Sequence, residues 1–208
     1  MKRTLAFLLA VACVAFCASI GFAAEPNYDA VDKLHNSGRE MDFINSLNKL
    51  GNQVVAHNKH AFETKYQAWE DEEPYTMWSR VWAKDKTIVT ALAGKDKKFI
   101  SNSLTTADPN MVFAGGIKVG ASTAVLEKFF KAPLRQIAYR PGVIYAPAES
   151  DFDAENFYIF YGKDGKITEI RAEWGVFHGR SDKTEKFIEK MRKQLGFPNS
   201  NFDLLKFD

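Results

Sequence analysis

The segment FYIFYGKDGKITEIRAEW, residues 157–174, decides the fold class of this 208-residue chain. Its first part is aromatic and β-branched, and Gly162-Lys163-Asp164-Gly165 supplies turn residues of hairpin length. Its second part alternates apolar with charged residues: Ile170, Ala172 and Trp174 with Glu169, Arg171 and Glu173. A period of two predicts a strand with one buried face and one face in water. The segment therefore predicts an antiparallel hairpin.

More short strands precede this hairpin in the chain. Residues 75–83, 87–93 and 98–104 are rich in aromatic and β-branched types, and polar Lys-Asp-Lys turns separate them. They predict a three-stranded antiparallel meander. Residues 135–139 and 143–145, divided by Arg140-Pro141-Gly142, predict two further strands before the hairpin.

Helical patterns lie before, between and after the strands. From Ser37, which with Glu40 fits a capping box, apolar residues recur at steps of three and four: Met41, Ile44, Leu47, Val54, Ala61, Phe62, Tyr66 and Trp69. They predict one long helix ending before Pro74, or two helices in series with Gly51 as a C-cap. Shorter patterns predict a helix from Ser122 or Thr123 to about Lys131 and another over residues 183–195.

The order of these elements predicts an α+β fold, with antiparallel β meanders and helices packed on one face. The order helix, strands, helix, strands, helix also indicates two tandem helix-plus-sheet units. We expect one unit over residues 24–114, with a helical segment and the three-stranded meander. The other covers residues 115–208, with a helix, an antiparallel sheet and the C-terminal helix. The two units either form separate domains or pack as one.

Residues 1–23 have the pattern of a secretory signal peptide. Lys2 and Arg3 precede an apolar stretch over residues 5–16, and Gly21-Phe22-Ala23 offers small residues at a cleavage site. A retained membrane anchor is the alternative, but the small-residue exit favours cleavage near Ala23. We therefore expect a periplasmic or extracellular protein with no transmembrane span after cleavage.

Charge and cysteine usage narrow the class of function. The chain has 28 Lys plus Arg against 26 Asp plus Glu, and Lys2 and Arg3 account for the excess. A near-neutral mature chain argues against nucleic acid as a partner, because nucleic-acid binders carry a basic excess. Both cysteines, Cys13 and Cys17, lie in the signal peptide, which excludes thiolate metal sites and iron–sulfur clusters. No cofactor is expected.

Four residues are candidates for a binding site. Trp78, Arg80 and Trp82 fall on one face of a predicted strand, where an arginine between two indoles would form a cation–π ladder. Such a ladder faces a partner if that face is uncovered, and belongs to the core if helices or loops cover it. His178, in a loop after the last strand, is a possible general base, but spacing assigns it no partner.

A resemblance rests on residues 116–174. Gly116-Ile117-Lys118-Val119-Gly120-Ala121-Ser122, the helix ending at Lys131, the aromatic strand and Lys163-Asp164-Gly165-Lys166 follow one another in this order. This succession resembles the SmpA/OmlA-type outer-membrane assembly lipoproteins and the related β-lactamase-inhibitor-protein-like fold. The resemblance implies a helix layer on an antiparallel sheet and a non-enzymatic, protein-binding role.

Two functional hypotheses follow from the sequence. The first is an exported, non-enzymatic binding or envelope-assembly protein that acts through a surface for a protein or a small-molecule ligand. The alternative is a small secreted hydrolase or ligand-pocket protein that uses His178 or carboxylates. A deep pocket holding His178 would favour the second hypothesis, whereas an exposed aromatic face would favour the first.

Overall fold

The computed structural model describes residues 38–70, 73–131, 135–140, 142–146, 156–174 and 181–197. In them the helices are α1 (Arg39–His57), α2 (Ala124–Phe130) and α3 (Asp182–Gln194). The strands are β1 (Phe62–Glu70), β2 (Glu73–Lys84), β3 (Thr87–Ala93), β4 (Ile100–Thr106), β5 (Arg135–Arg140), β6 (Gly142–Ala146), β7 (Asn156–Lys163) and β8 (Lys166–Trp174).

The strands form one eight-stranded antiparallel sheet in the order β1-β2-β3-β4-β8-β7-β6-β5. Each half of the sheet is a meander of four consecutive strands, and the halves meet where β4 pairs with β8, with Leu104 opposite Ala172. The predicted hairpin is formed by β7 and β8, and its turn residues Asp164 and Gly165 both have positive φ. Such a turn matches the twist of the paired strands. The predicted α+β class with antiparallel meanders is confirmed.

Helices cover both faces of this sheet. Phe43 and Leu47 of α1 pack with Leu126 and Phe130 of α2 in the main apolar core, together with Val89 of β3. The side chain of Ile88, the residue before Val89, points to the opposite face of the sheet. It packs in a second cluster with side chains of α3: Phe187, Ile188 and Met191. We call these two surfaces the α1 face and the α3 face. The prediction that helices pack on one face is correct for α1 and α2, whereas α3 packs on the opposite face.

The first helix is shorter than the sequence predicts. It begins after Gly38, without a capping bond from a side chain, and it ends at His57. The predicted helical continuation over residues 58–70 is wrong, because β1 occupies residues 62–70. In β1, Phe62, Thr64 and Tyr66 are half-buried, and the residues between them are exposed. The same apolar residues fit both a helical period and a period of two, and pairing with β2 selects the strand.

Gly51 lies inside α1 and does not end it, so the predicted C-cap is wrong. A Cβ at this position would lie 2.8 Å from Ser101 Oγ and 3.2 Å from Trp174 Cζ2. Glycine therefore lets the helix approach β4 and β8 closely. Asn52 strengthens this contact, because its Oδ1 accepts hydrogen bonds from the backbone N–H and the hydroxyl of Ser101.

The charged face of β8 is not in water, which corrects the prediction from its alternating pattern. Glu169 is fully buried and Glu173 is 7% exposed. Arg192 of α3 donates to Glu169 across 2.5 Å, and Arg171 donates to Glu173 across 3.2 Å. Both carboxylates can be buried because each is paired with a guanidinium.

Candidate functional site

An aromatic and cationic surface lies on the α1 face at the edge of the sheet. The helix α1 packs over β3, β4 and β8, away from the edge strand β1. Exposed or half-buried side chains of β1, β2 and the β3–β4 connection meet there: Glu63, Lys65, Trp78, Arg80, Lys97 and Phe99. We call this group the Trp78 surface.

Two lysines flank the half-buried indole of Trp78. Lys65 lies directly opposite Trp78 in the β1–β2 register, and its Nζ is 5.7 Å from the centre of the indole. Lys97 comes from the β3–β4 connection, and its Nζ is 5.4 Å from the same indole. Among the described residues, neither ammonium lies within 4.0 Å of a carboxylate oxygen. The indole of Trp78 thus has two ammonium groups beside it on a part of the surface that solvent can reach.

Arg80 is anchored by two contacts of different kinds. Its guanidinium carbon lies 3.9 Å from the ring centre of Phe99, and its Nε donates a hydrogen bond to Glu63. This hydrogen bond is the main reason why the pKa of Glu63 lies below its usual value. Slight desolvation opposes the effect, and the charges of Arg80, His60 and Lys97 add to it. Glu63 is therefore a carboxylate at neutral pH and offsets the charge of Arg80.

Trp82 belongs to the core, although it shares a strand face with Trp78 and Arg80. It is 3% exposed, and its indole N–H donates to the carbonyl of Asn58 just after α1 across 2.9 Å. Arg80 stacks on Phe99, so the predicted ladder of one arginine between two indoles does not form. Of the predicted trio, Trp78 and Arg80 contribute to the accessible surface and Trp82 supports it from below.

His178 lies outside the described residues, so its predicted role stays a prediction. Within the described ranges, no group of three or more His, Asp, Glu or Cys side chains is arranged to hold a metal ion. Nor does any helix of that part of the chain have the length and apolar character needed to span a membrane.

The sequence pattern misses four members of the Trp78 surface: Glu63, Lys65, Lys97 and Phe99. The helical prediction covers Lys65 and Glu63, and only their pairing with β2 brings them beside Trp78 and Arg80. Lys97 falls in a predicted turn, and Phe99 falls in the predicted strand over residues 98–104, which begins only at Ile100 in the structure. A period of two over residues 62–68 is the signal that places the first two correctly.

Comparisons with known proteins yield only distant structural likenesses. No protein-family model matches the chain, and no curated protein sequence matches it. The fold is similar to the cysteine-rich secretory protein SAV1118 of Staphylococcus aureus subsp. aureus Mu50, with a TM-score of 0.37 and 10% identity over 73% of this chain and 61% of that one. An extracellular protein with an SCP domain from Bacillus anthracis str. Ames gives a TM-score of 0.39 and 9% identity over 79% of this chain and 62% of that one.

The uncharacterised protein yfeY of Escherichia coli gives a TM-score of 0.29 and 11% identity over 63% of this chain and 90% of that one. This chain spans about three fifths of the length of the first two proteins. The first two are described as secretory or extracellular.

Proposed function

We propose that this protein is an exported, non-enzymatic binding or envelope-assembly protein that recognises an acidic segment of a partner protein through the Trp78 surface. Export is supported by the signal-peptide pattern of residues 1–23. The assembly role is supported by the resemblance of residues 116–174 to the SmpA/OmlA-type proteins. The observation that carries the proposal is the placement of two lysine ammoniums on one accessible indole.

This arrangement suits an acidic peptide better than a neutral ligand. Trp78 offers a flat apolar surface, and tryptophan is among the residues most enriched at interface hot spots. Lys65 and Lys97 lie on the same indole and can each meet a carboxylate. Arg80 is held by Glu63 and Phe99, so it contributes rigidity more than free charge. The surface thus combines an apolar centre with cations at its rim, as protein interfaces commonly do.

The alternative hypothesis, a hydrolase or a ligand-pocket protein, depends on His178 or on carboxylates. His178 lies outside the described residues. The buried carboxylates of β8, Glu169 and Glu173, are both ion-paired with arginines, which suits a structural role. No observation in the described part of the chain favours this alternative.

A charge-reversal experiment tests the proposed surface. The probe is a fluorescently labelled poly-glutamate peptide that contains tyrosine, and its binding is followed by fluorescence anisotropy. Lys65→Glu with Lys97→Glu should weaken binding by about tenfold or more, because two attractions become repulsions. Trp78→Ala should weaken it by about thirtyfold, as expected for a hot-spot residue.

The matched control reverses two exposed lysines elsewhere, Lys49 and Lys118, and changes the net charge equally. This double variant should bind the probe as the wild-type protein does. Equal loss in both double variants would show attraction to overall charge alone. Absence of binding by the wild-type protein would contradict the proposal.

A substitution of Glu63 should strengthen binding of the same probe, whereas the variants above should weaken it. Glu63→Gln keeps a hydrogen-bond acceptor for Arg80 but removes the negative charge beside Lys97 and Arg80. We therefore expect the acidic probe to bind about two- to fivefold more tightly, because the surface gains net positive charge. Unchanged or weaker binding by a folded Glu63→Gln variant would show that the probe does not meet this part of the sheet.

A further inference from the structure

We propose that β1 pairs with β1 of a second copy of this chain, so that two sheets join edge to edge in a symmetric dimer. This inference goes beyond the proposed function but uses Glu63 and Lys65 of the Trp78 surface. The two proposals are tested separately, because Trp78 takes no part in the strand pairing and Thr64 takes no part in the Trp78 surface. In the described residues, β1 is at one end of the strand order and pairs only with β2. An edge strand presents a row of backbone N–H and C=O groups that can pair with another chain.

The side chains of β1 lie on two faces in alternation. The cross-strand partners of Glu63 and Lys65 are Arg80 and Trp78, which places both charges on the α1 face. Phe62 packs on the α3 face, where its ring stacks on Phe187 at 4.6 Å, and Thr64 lies on that face by alternation. Charges on an edge strand usually discourage pairing. Here the two charges have opposite signs and are two positions apart, so the strand is complementary to itself.

The dimer axis selects one register. A two-fold axis perpendicular to the sheet joins the α1 face of one copy to the α1 face of the other. Directly opposed residues must then come from the same face, and because faces alternate along the strand, the axis lies between the two copies of one residue. An axis through Glu63 or through Lys65 would place two like charges directly opposite each other. An axis through Tyr66 would place Lys65 opposite Gln67. Only an axis through Thr64 brings each Glu63 opposite the other copy's Lys65.

That register makes every directly opposed pair favourable. Thr64 meets Thr64, Glu63 meets Lys65 twice, and Phe62 meets Tyr66 twice. Thr–Thr, opposite-charge and aromatic pairs are the ones that stabilise neighbouring antiparallel strands. The paired segment covers residues 62–66 of each copy, a usual length for strand pairing. The axis at Thr64 also brings the two Trp78 surfaces side by side on one face of a joined sheet.

A charge-swap experiment tests this dimer by sedimentation velocity and native mass spectrometry over a concentration series. The wild-type chain should show a reversible monomer–dimer equilibrium. Glu63→Lys alone and Lys65→Glu alone should each weaken dimerisation by about tenfold or more, because two attractive pairs become repulsive. A mixture of the two variants should form heterodimers, since one variant carries two positive charges at these positions and the other carries two negative charges. Gln67→Glu, on the same strand face but opposed to no charged residue, is the control and should leave dimerisation unchanged.

If a charge variant does not fold, a disulfide cross-link between the two copies tests the same register. In a background with Cys13→Ser and Cys17→Ser, Thr64→Cys should form a disulfide-linked dimer under mild oxidation, because opposed residues of antiparallel strands lie within disulfide reach. Gln67→Cys should not. A wild-type chain that stays monomeric up to about 1 mM would overturn the proposal. A mixture that dimerises no better than its components, or equal cross-linking at both positions, would overturn the register.

Discussion

Replacing Trp82 with alanine should lower the free energy of unfolding by about 3–5 kcal/mol, as large aromatic-to-alanine changes in protein cores do. The side chain is 3% exposed, belongs to the main apolar core and donates to the Asn58 carbonyl just after α1. Its removal leaves a cavity between the sheet and the end of the helix, and it leaves that carbonyl without its indole donor. Chemical unfolding followed by circular dichroism measures the loss.

The matched variant is Trp78→Ala on the same strand face. Trp78 is half-buried, and its described contacts with cations are the two lysines at its rim. We expect this variant to cost about 1–2 kcal/mol, clearly less than Trp82→Ala, because part of the indole is already in water and cation–π contacts at exposed sites are weak. If Trp78→Ala destabilises the protein as much as Trp82→Ala, Trp78 is structural and the recognition surface loses its centre.

Breaking the buried ion pair between β8 and α3 should have a similarly large effect. Glu169→Gln removes the carboxylate charge that the buried guanidinium of Arg192 contacts, and such a loss typically costs about 3–5 kcal/mol. Arg192→Met leaves the carboxylate buried instead and should cost about as much. Replacing both at once, Glu169→Leu with Arg192→Met, removes both buried charges and should restore much of the lost stability.

The same helix supplies the control for this prediction. Glu189 and Lys193 form an exposed pair across 2.6 Å, and both side chains are 56% exposed. Glu189→Gln should change the free energy of unfolding by less than about 1 kcal/mol, because surface ion pairs are screened by water. If Glu169→Gln costs no more than Glu189→Gln, the contact between Glu169 and Arg192 does not hold α3 on the sheet.

Most of the strands could be predicted because their signals are local. The hairpin of β7 and β8 is encoded by an aromatic run, a turn and a period of two within residues 157–174. The same reasoning predicts β2, β3 and β4. The pairing of β4 with β8 could not be predicted, because it joins segments about sixty residues apart and no turn specifies it.

The errors arise where tertiary contacts override local patterns. Residues 62–68 fit a helical stripe and a strand alternation equally, and only the availability of β2 decides between them. The alternation in β8 predicts a solvent-facing position for Glu169. In the structure this side chain is buried, because it is paired with Arg192 from a helix that follows later in the chain. Period-two reasoning identifies the two faces of a strand, but it does not show that a charged face will be covered.

The candidate site was predictable only in part. Alternation places Trp78, Arg80 and Trp82 on one strand face, and the register of β2 has this arrangement. The alternation could not predict that α1 ends above Trp82 and leaves Trp78 accessible. Lys97 and Phe99 reach this surface from the β3–β4 connection, whose course follows from no periodic pattern. Whether these residues bind a partner stays a prediction, as do the division into domains and the role of His178.

Backbone amide chemical-shift mapping tests the central claim most directly. The isotope-labelled protein is titrated with the acidic, tyrosine-containing peptide, and amide shifts are followed residue by residue. If the Trp78 surface binds acidic segments, saturable shifts will concentrate in β1, β2 and residues 95–99. The Trp78→Ala variant will then need about thirtyfold more peptide for the same shifts, whereas the Lys118→Glu variant will not. Shifts that concentrate elsewhere in the chain, or that saturate at the same peptide concentration in the Trp78→Ala variant, would contradict the account.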